Sequence, residues 1–242
     1  MKNNLKKMVL NLIYPPRCVF CSKRLSPKTK LLVCSSCANE LPYCRAYSRC
    51  RRCGKPVPQG ASNMCNSCYT RKHYNTRITS AFVYTDRARD AVLAFKKEYN
   101  AGGAGTLAIY VAGMVKYDFG GVDFDAVVSV PPRKKNSSEE RFDQAACLGK
   151  AVARRLGIPY IAHAMVQTGI GRKQSSLSYS ARIENVKNKF AVKRPNAIDK
   201  KTILLIDDVC TSGATLEECA KMLKESGAFR VYAATIATVP AM

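Results

Sequence analysis

Ile203-Leu204-Leu205-Ile206-Asp207-Asp208-Val209-Cys210-Thr211-Ser212-Gly213-Ala214-Thr215-Leu216 decides the reading of this chain. Four consecutive apolar residues predict a strand buried on both faces. The strand ends in two adjacent carboxylates, Asp207 and Asp208. A short loop of small and hydroxyl-bearing residues follows, Thr211, Ser212, Gly213, Ala214 and Thr215, and a helical pattern begins within it. That order delivers polar groups to a phosphate at a helix N-terminus. Backbone N–H groups and the helix dipole favour an anion there, and glycine lets the backbone approach closely. The carboxylates stand one step back, where they can take vicinal hydroxyls or a metal held by a phosphorylated sugar. The bland alternative is a buried strand whose acids only cap the next helix.

The pattern extends upstream and downstream. Strands are expected near 80–84, 125–130, 160–166, 201–207 and 230–239. Helices are expected near 86–99, 106–117, 140–156 and 214–226. The glycine-rich stretch 101–105 is expected to break the helical run. The polar stretch 167–190 reads as a long loop, and such loops inside compact domains usually serve function. Alternating strands and helices predict an α/β domain over 76–242. Its parallel sheet would be flanked by helices, with ligands at the carboxyl ends of the strands.

Residues 1–75 differ in kind. Nine of the chain's 12 cysteines fall between Cys18 and Cys68. Cys18, Cys21, Cys34 and Cys37 form one quartet of paired Cys-x2-Cys steps; Cys50, Cys53, Cys65 and Cys68 form a second. Two such knuckles present four thiolates tetrahedrally, the closed arrangement of a structural Zn2+ site. So short a module buries little apolar surface, so metal would supply its folding energy. The quartets can pair sequentially, as in a double zinc ribbon, or cross-braced. The spacing favours sequential pairing. Cys44 is left over and reads as a buried thiol; Cys147, Cys210 and Cys219 read as packing thiols.

The chain has 242 residues, 47% of them hydrophobic, and a net charge of +23. Fifteen Lys and Arg against one acid, Glu40, lie in the first 75 residues, a balance of +14. Such an excess suggests a polyanionic partner. Arg45, Arg49, Arg51, Arg52 and Lys55 cluster near the second quartet, with Tyr14, Phe20, Tyr43, Tyr47, Tyr69 and Tyr74 interspersed. Cations that neutralise phosphates and aromatics that stack on bases suit single-stranded nucleic acid. A zinc-stapled protein-interaction module with a solvated basic surface is the rival reading. No apolar run reaches the roughly 20 residues of a membrane span, and the first 13 residues lack a signal-peptide pattern, so a cytoplasmic location is expected.

The stretch Asp207 to Thr215 resembles the phosphoribosyl pyrophosphate (PRPP) motif of the type I phosphoribosyltransferases. The resemblance implies that Asp207 and Asp208 contact the ribose hydroxyls and that Thr211, Ser212, Gly213, Ala214 and Thr215 wrap the 5′-phosphate. It implies Mg2+ bound with PRPP. It also implies a pyrophosphate-contacting loop after the first core strand, at Val130-Pro131-Pro132-Arg133. The 167–190 loop would be mobile, bringing Arg172 and Lys173 to the leaving group. The whole chain resembles the competence protein ComF family, a double zinc ribbon fused to a phosphoribosyltransferase-like domain. The residues that carry this are the lead-in ending Tyr14-Pro15-Pro16-Arg17-Cys18, then Val130-Pro131, Arg141-Phe142-Asp143-Gln144-Ala145, 174–177, and Arg182 with Asn185 ahead of Phe190. The family's usual glycine is missing between Arg141 and Phe142. Membership implies handling of single-stranded DNA during natural transformation, with a helicase-type competence protein as a candidate partner. Phosphoribosyl transfer to an unidentified acceptor and non-catalytic sensing of PRPP or a nucleotide both fit the motif.

Overall fold

The computed structural model describes residues 15–60, 63–97, 101–132, 143–169 and 186–241. Among these residues six strands form: β1 (Ile78–Val83), β2 (Ala126–Ser129), β3 (Met165–Gln167), β4 (Phe190–Val192), β5 (Thr202–Cys210) and β6 (Arg230–Thr238). Four of them make a parallel sheet in the order β1-β6-β5-β2. The predicted buried strand is β5, at the sheet's interior. Ile203, Leu204, Leu205 and Ile206 are completely buried, worth about 2 kcal/mol each. Leu204 and Ile206 point into one core and Ile203 and Leu205 into the other, following the period of two.

The helices are α1 (Ser35–Asn39), α2 (Asn66–Tyr69), α3 (Asp86–Lys97), α4 (Ala101–Phe119), α5 (Gln144–Leu156) and α6 (Ala214–Glu225). Helices α3, α4 and α5 supply the first core, and α6 supplies the second. Helix α5 starts where Asp143 accepts a hydrogen bond from the Ala146 N–H and stops at Gly157 in the left-handed conformation.

Two sequence expectations change. The stretch 101–105, expected to separate two helices, is itself helical and opens α4, while α3 ends at Lys97. First-turn N–H groups lack intrahelical partners in any helix, and Ala104, Leu107, Ala108 and Val111 are buried, so packing outweighs the weak propensity. The strand expected at 160–166 shrinks to a single parallel bridge between Tyr160 and Val127 at the outer edge of β2. His163 takes φ +52° and ends the extended path. The chain then forms β3, which pairs antiparallel with β4 away from the main sheet.

The cysteine module straddles the sheet. Cys18, Phe20, Cys34 and Cys37 join the first core, and Cys50, Cys53, Cys65 and Cys68 join the second. The chain from Pro42 to Arg52, leading into the first knuckle of the second quartet, runs along the outer edge of β1. The Val83 N–H donates to the Pro42 carbonyl and the Ile78 N–H to the Arg52 carbonyl, so the edge is paired rather than bare. Gly54 sits so close that a Cβ would lie 2.6 Å from the Ile78 carbonyl oxygen. Arg49 makes a bidentate ion pair with Asp118 at the end of α4, at 2.7 and 2.9 Å.

Candidate functional site

The sheet's carboxyl edge gathers most of the predicted phosphate-site residues. Strand β5 runs on through both acids to Cys210, and the Thr238 hydroxyl fixes its end by donating to the Cys210 carbonyl at 2.9 Å. Asp207 and Asp208 are half-buried. The Asp208 N–H donates to Asp207 Oδ1 at 2.8 Å, which turns the first carboxylate back over the backbone of the second. Beside them, the Val130 N–H donates to the Ile206 carbonyl at 2.9 Å, placing Val130 and Pro131 against the start of the acidic pair.

The loop then turns at Gly213, whose φ of +78° is costly for any side chain bearing a Cβ. The Ser212 hydroxyl accepts from the Ala214 N–H at 3.3 Å, and the Glu217 N–H closes onto the Gly213 carbonyl. Helix α6 thus starts directly under the loop. The arrangement offers an anion a helix N-terminus, the hydroxyls of Thr211, Ser212 and Thr215, and two carboxylates one step away. Arg133, Arg172, Lys173, Arg141 and Phe142 lie outside the described residues.

Three contacts were not legible in the sequence. Lys96, in the last turn of α3, places Nζ 2.8 Å from Asp208 Oδ2. Lys55, from the second quartet, is buried and donates to the Thr211 carbonyl. Glu217, in the first turn of α6, accepts from the backbone N–H groups of Tyr74 and Asn75 through Oε2, at 2.9 and 3.3 Å. Its Oε1 lies 2.5 Å from His73 Nδ1, and His73 Nε2 lies 3.0 Å from the Cys68 carbonyl oxygen. An acid early in a helix is an ordinary sequence feature, so only the tertiary fold reveals that Glu217 ties the cysteine module to the loop.

The eight cysteines resolve into two groups, Cys18/Cys21/Cys34/Cys37 and Cys50/Cys53/Cys65/Cys68, with all Sγ atoms of a group within 4.8 Å of one another. Pairing is therefore sequential. The two knuckles repeat one geometry. Cys18 and Cys50 donate their N–H to the carbonyl five residues on, at Lys23 and Lys55. Ser22 and Gly54 then turn at φ +59° and +68°. The Cys21–Cys34 and Cys53–Cys65 sulfurs are each 3.7 Å apart, matching the spacing of about 3.8 Å that tetrahedral Zn–S bonds of about 2.3 Å produce. N–H groups of Cys34, Cys37 and Cys65 donate to cluster sulfurs at 3.4 Å, and Arg87 Nη1 lies 3.1 Å from Cys37 Sγ. Both groups fit Zn2+.

The basic cluster divides. Arg45 and Arg51 are exposed, whereas Arg49 pairs with Asp118, Arg52 donates to the Asn75 carbonyl and Lys55 is buried. Among the aromatics, Tyr47 and Tyr69 stand out, 48% and 79% exposed, while Phe20 is buried in the first core. Cys44, Cys210 and Cys219 are buried, and burial pushes the Cys44 thiol up to about 12 and the other two upward. Cys147 is half-buried. None of the described helices is long and apolar enough to cross a membrane.

Comparison with known proteins agrees with this architecture. Residues 9–69 match the double zinc ribbon domain, and residues 143–242 match the phosphoribosyl transferase domain. The DNA utilization protein YhgH of Salmonella typhimurium is 27% identical over 202 residues, covering 82% of this chain and 87% of that protein. Competence protein F of Haemophilus influenzae is 25% identical over 215 residues, covering 87% and 92%. Competence protein ComFC of Bacillus subtilis is 28% identical over 220 residues, covering 84% and 81%. The chain joins a double zinc ribbon to a phosphoribosyl transferase domain and is a homologue of the DNA utilization protein YhgH and competence protein F/ComFC proteins.

Proposed function

We propose that the carboxyl edge of the sheet binds PRPP with Mg2+, and that the ribbon surface binds single-stranded DNA in the cytoplasm. The observation that carries the first half is the junction of β5 and α6. Two half-buried carboxylates there precede a left-handed glycine turn and a helix N-terminus. In this reading Asp207 and Asp208 accept hydrogen bonds from the ribose hydroxyls. The backbone and hydroxyls of residues 211–215 surround the 5′-phosphate, and Val130 and Pro131 border the diphosphate. Mg2+ would neutralise diphosphate charge, bound mainly through phosphates and water. Arg133, Arg172 and Lys173 are the candidates to stabilise departing pyrophosphate.

Calorimetric titration of the zinc-loaded protein with PRPP and Mg2+ tests the site. Asp207→Asn together with Asp208→Asn should abolish the heat of binding; unchanged affinity would sink the assignment. Release of pyrophosphate from bound PRPP would separate transfer or hydrolysis from sensing alone.

The DNA half rests on the exposed cations Arg17, Lys23, Arg24, Arg45, Arg51 and Lys72 with exposed Tyr47 and Tyr69, and on relatives named for competence and DNA utilization. Arg45→Ala with Arg51→Ala should weaken binding to a single-stranded oligonucleotide and flatten its salt dependence. Arg49, Arg52 and Lys55 are unsuitable for this test because they hold the fold together.

A further inference from the structure

Lys55 is a buried cation at the junction of the second quartet and the loop. It is 8% exposed, and no ion pair involves it among the described residues. Buried ammonium groups are costly unless charge is supplied nearby. Lys55 lines a crevice walled on one side by Cys53, Cys65 and Cys68 of the second quartet. Ser212 and Gly213 of the phosphate loop wall the other side, and Glu217, which is engaged by His73 and the N–H groups of Tyr74 and Asn75, lines it too. Four thiolates around Zn2+ carry two net negative charges, so a metal there compensates the ammonium. The ammonium in turn holds the loop by donating to the Thr211 carbonyl.

A second connection runs in parallel. His73 touches the Cys68 carbonyl with one ring nitrogen and Glu217 with the other, and Glu217 also accepts the N–H groups of Tyr74 and Asn75. Both connections begin at the second quartet and end on residues 211–217. Among the described residues the first quartet shows no such link: hydrogen bonds join its segment to Thr106 and Arg87 on the other face of the sheet.

We infer that the second zinc ribbon is part of the phosphate site, so that Zn2+ at Cys50, Cys53, Cys65 and Cys68 and a phosphate over residues 211–215 bind cooperatively, with Lys55 and His73 as positioning residues. The inference rests on the phosphoribosyl reading of that loop. Without the metal, the knuckle that closes through the Cys50 N–H and the Lys55 carbonyl comes apart. Lys55 then loses both its counter-charge and its place against Thr211. A bound phosphate adds negative charge on the opposite side of the same ammonium, and by reciprocity it tightens the metal.

The test measures zinc affinity by chelator competition on protein holding two Zn2+, with and without saturating ribose 5-phosphate, whose binding is followed by calorimetry. One of the two zinc affinities should rise at least about fivefold, the lower end of typical coupling, while the other stays fixed. Lys55→Met should keep two metals and lose the effect, and Lys55→Arg should restore part of it. If Lys55→Met fails to fold, His73→Gln carries the same prediction. Ribose 5-phosphate that binds yet leaves both zinc affinities unchanged, or raises both equally, would overturn the coupling. Failure of ribose 5-phosphate to bind the wild-type protein would overturn the phosphoribosyl reading, and the coupling with it.

Discussion

Lys96 Nζ lies 2.8 Å from Asp208 Oδ2, so the second carboxylate of the acidic pair already holds a cation. Any ribose hydroxyl or Mg2+ that uses Asp208 Oδ2 competes with this ammonium. The Lys96 side chain is 43% exposed, and pairs of that kind are worth about 1 kcal/mol or less. Lys96→Ala should therefore raise the affinity for ribose 5-phosphate with Mg2+ by no more than about fivefold, measured by calorimetry. A clear loss of affinity would instead make Lys96 a direct ligand of the phosphorylated sugar.

That pair also marks where sequence reading stops. The strand, acids, loop and helix of 203–216 were legible because local chemistry fixes each of them. Burial favours the apolar run, positive φ favours Gly213, and the N-terminal turn of a helix favours an anion. The quartets were legible because a metal site constrains spacing within a few residues. Lys96, Lys55 and Glu217 were not, because each acts on a partner more than 100 residues away. Nothing near Lys55 in sequence separates it from exposed Arg51, four residues earlier, yet one is buried beside the loop and the other faces solvent. The charge cluster read as a surface was thus partly an interface between the ribbons and the sheet.

Glu217 is the best single place to loosen that interface without touching a thiol. Glu217→Ala leaves His73 and the N–H groups of Tyr74 and Asn75 without their acceptor. Hydrogen bonds to a charged group are worth about 1.5–3 kcal/mol, and leaving half-buried donors unpaired adds to the loss. Unfolding in denaturant should show a destabilisation of about 3 kcal/mol with zinc content unchanged at two per chain. A loss below about 1 kcal/mol would mean that Glu217 is incidental to docking.

The thiols make a separate prediction about metal. Eight sulfurs are gathered in the two groups, and Cys219 is fully buried between α6 and the sheet, with its thiol pushed up by burial. Metal-bound thiolates react slowly with thiol reagents, and buried neutral thiols hardly at all. Adding a strong chelator at neutral pH should make eight further cysteines reactive. Cys219 should label only when the chain is unfolded, as peptide mass mapping would show. Unchanged labelling on chelation would argue against bound Zn2+.

Asp118 gives the clearest pH dependence. Burial alone would raise its carboxyl, but hydrogen bonds from Arg49 and Thr79, with the positive charges of Arg49 and Arg77, outweigh burial and hold it below the ordinary carboxylate range. A carboxyl lowered by folding contributes stability that is complete above its unfolded value, about 3.9, and is lost as pH falls through the folded value. The Arg49 and Asp118 side chains are only 17% and 7% exposed, and breaking a buried pair costs about 3 kcal/mol because the remaining charge is stranded. Asp118→Asn should therefore lose about that much stability at pH 7. The gap between variant and wild type should hold down to about pH 4 and close below it, where the native carboxyl takes up its proton. A gap that stays constant from pH 7 to pH 2.5 would show that Asp118 acts through shape and hydrogen bonding rather than through its charge on Arg49.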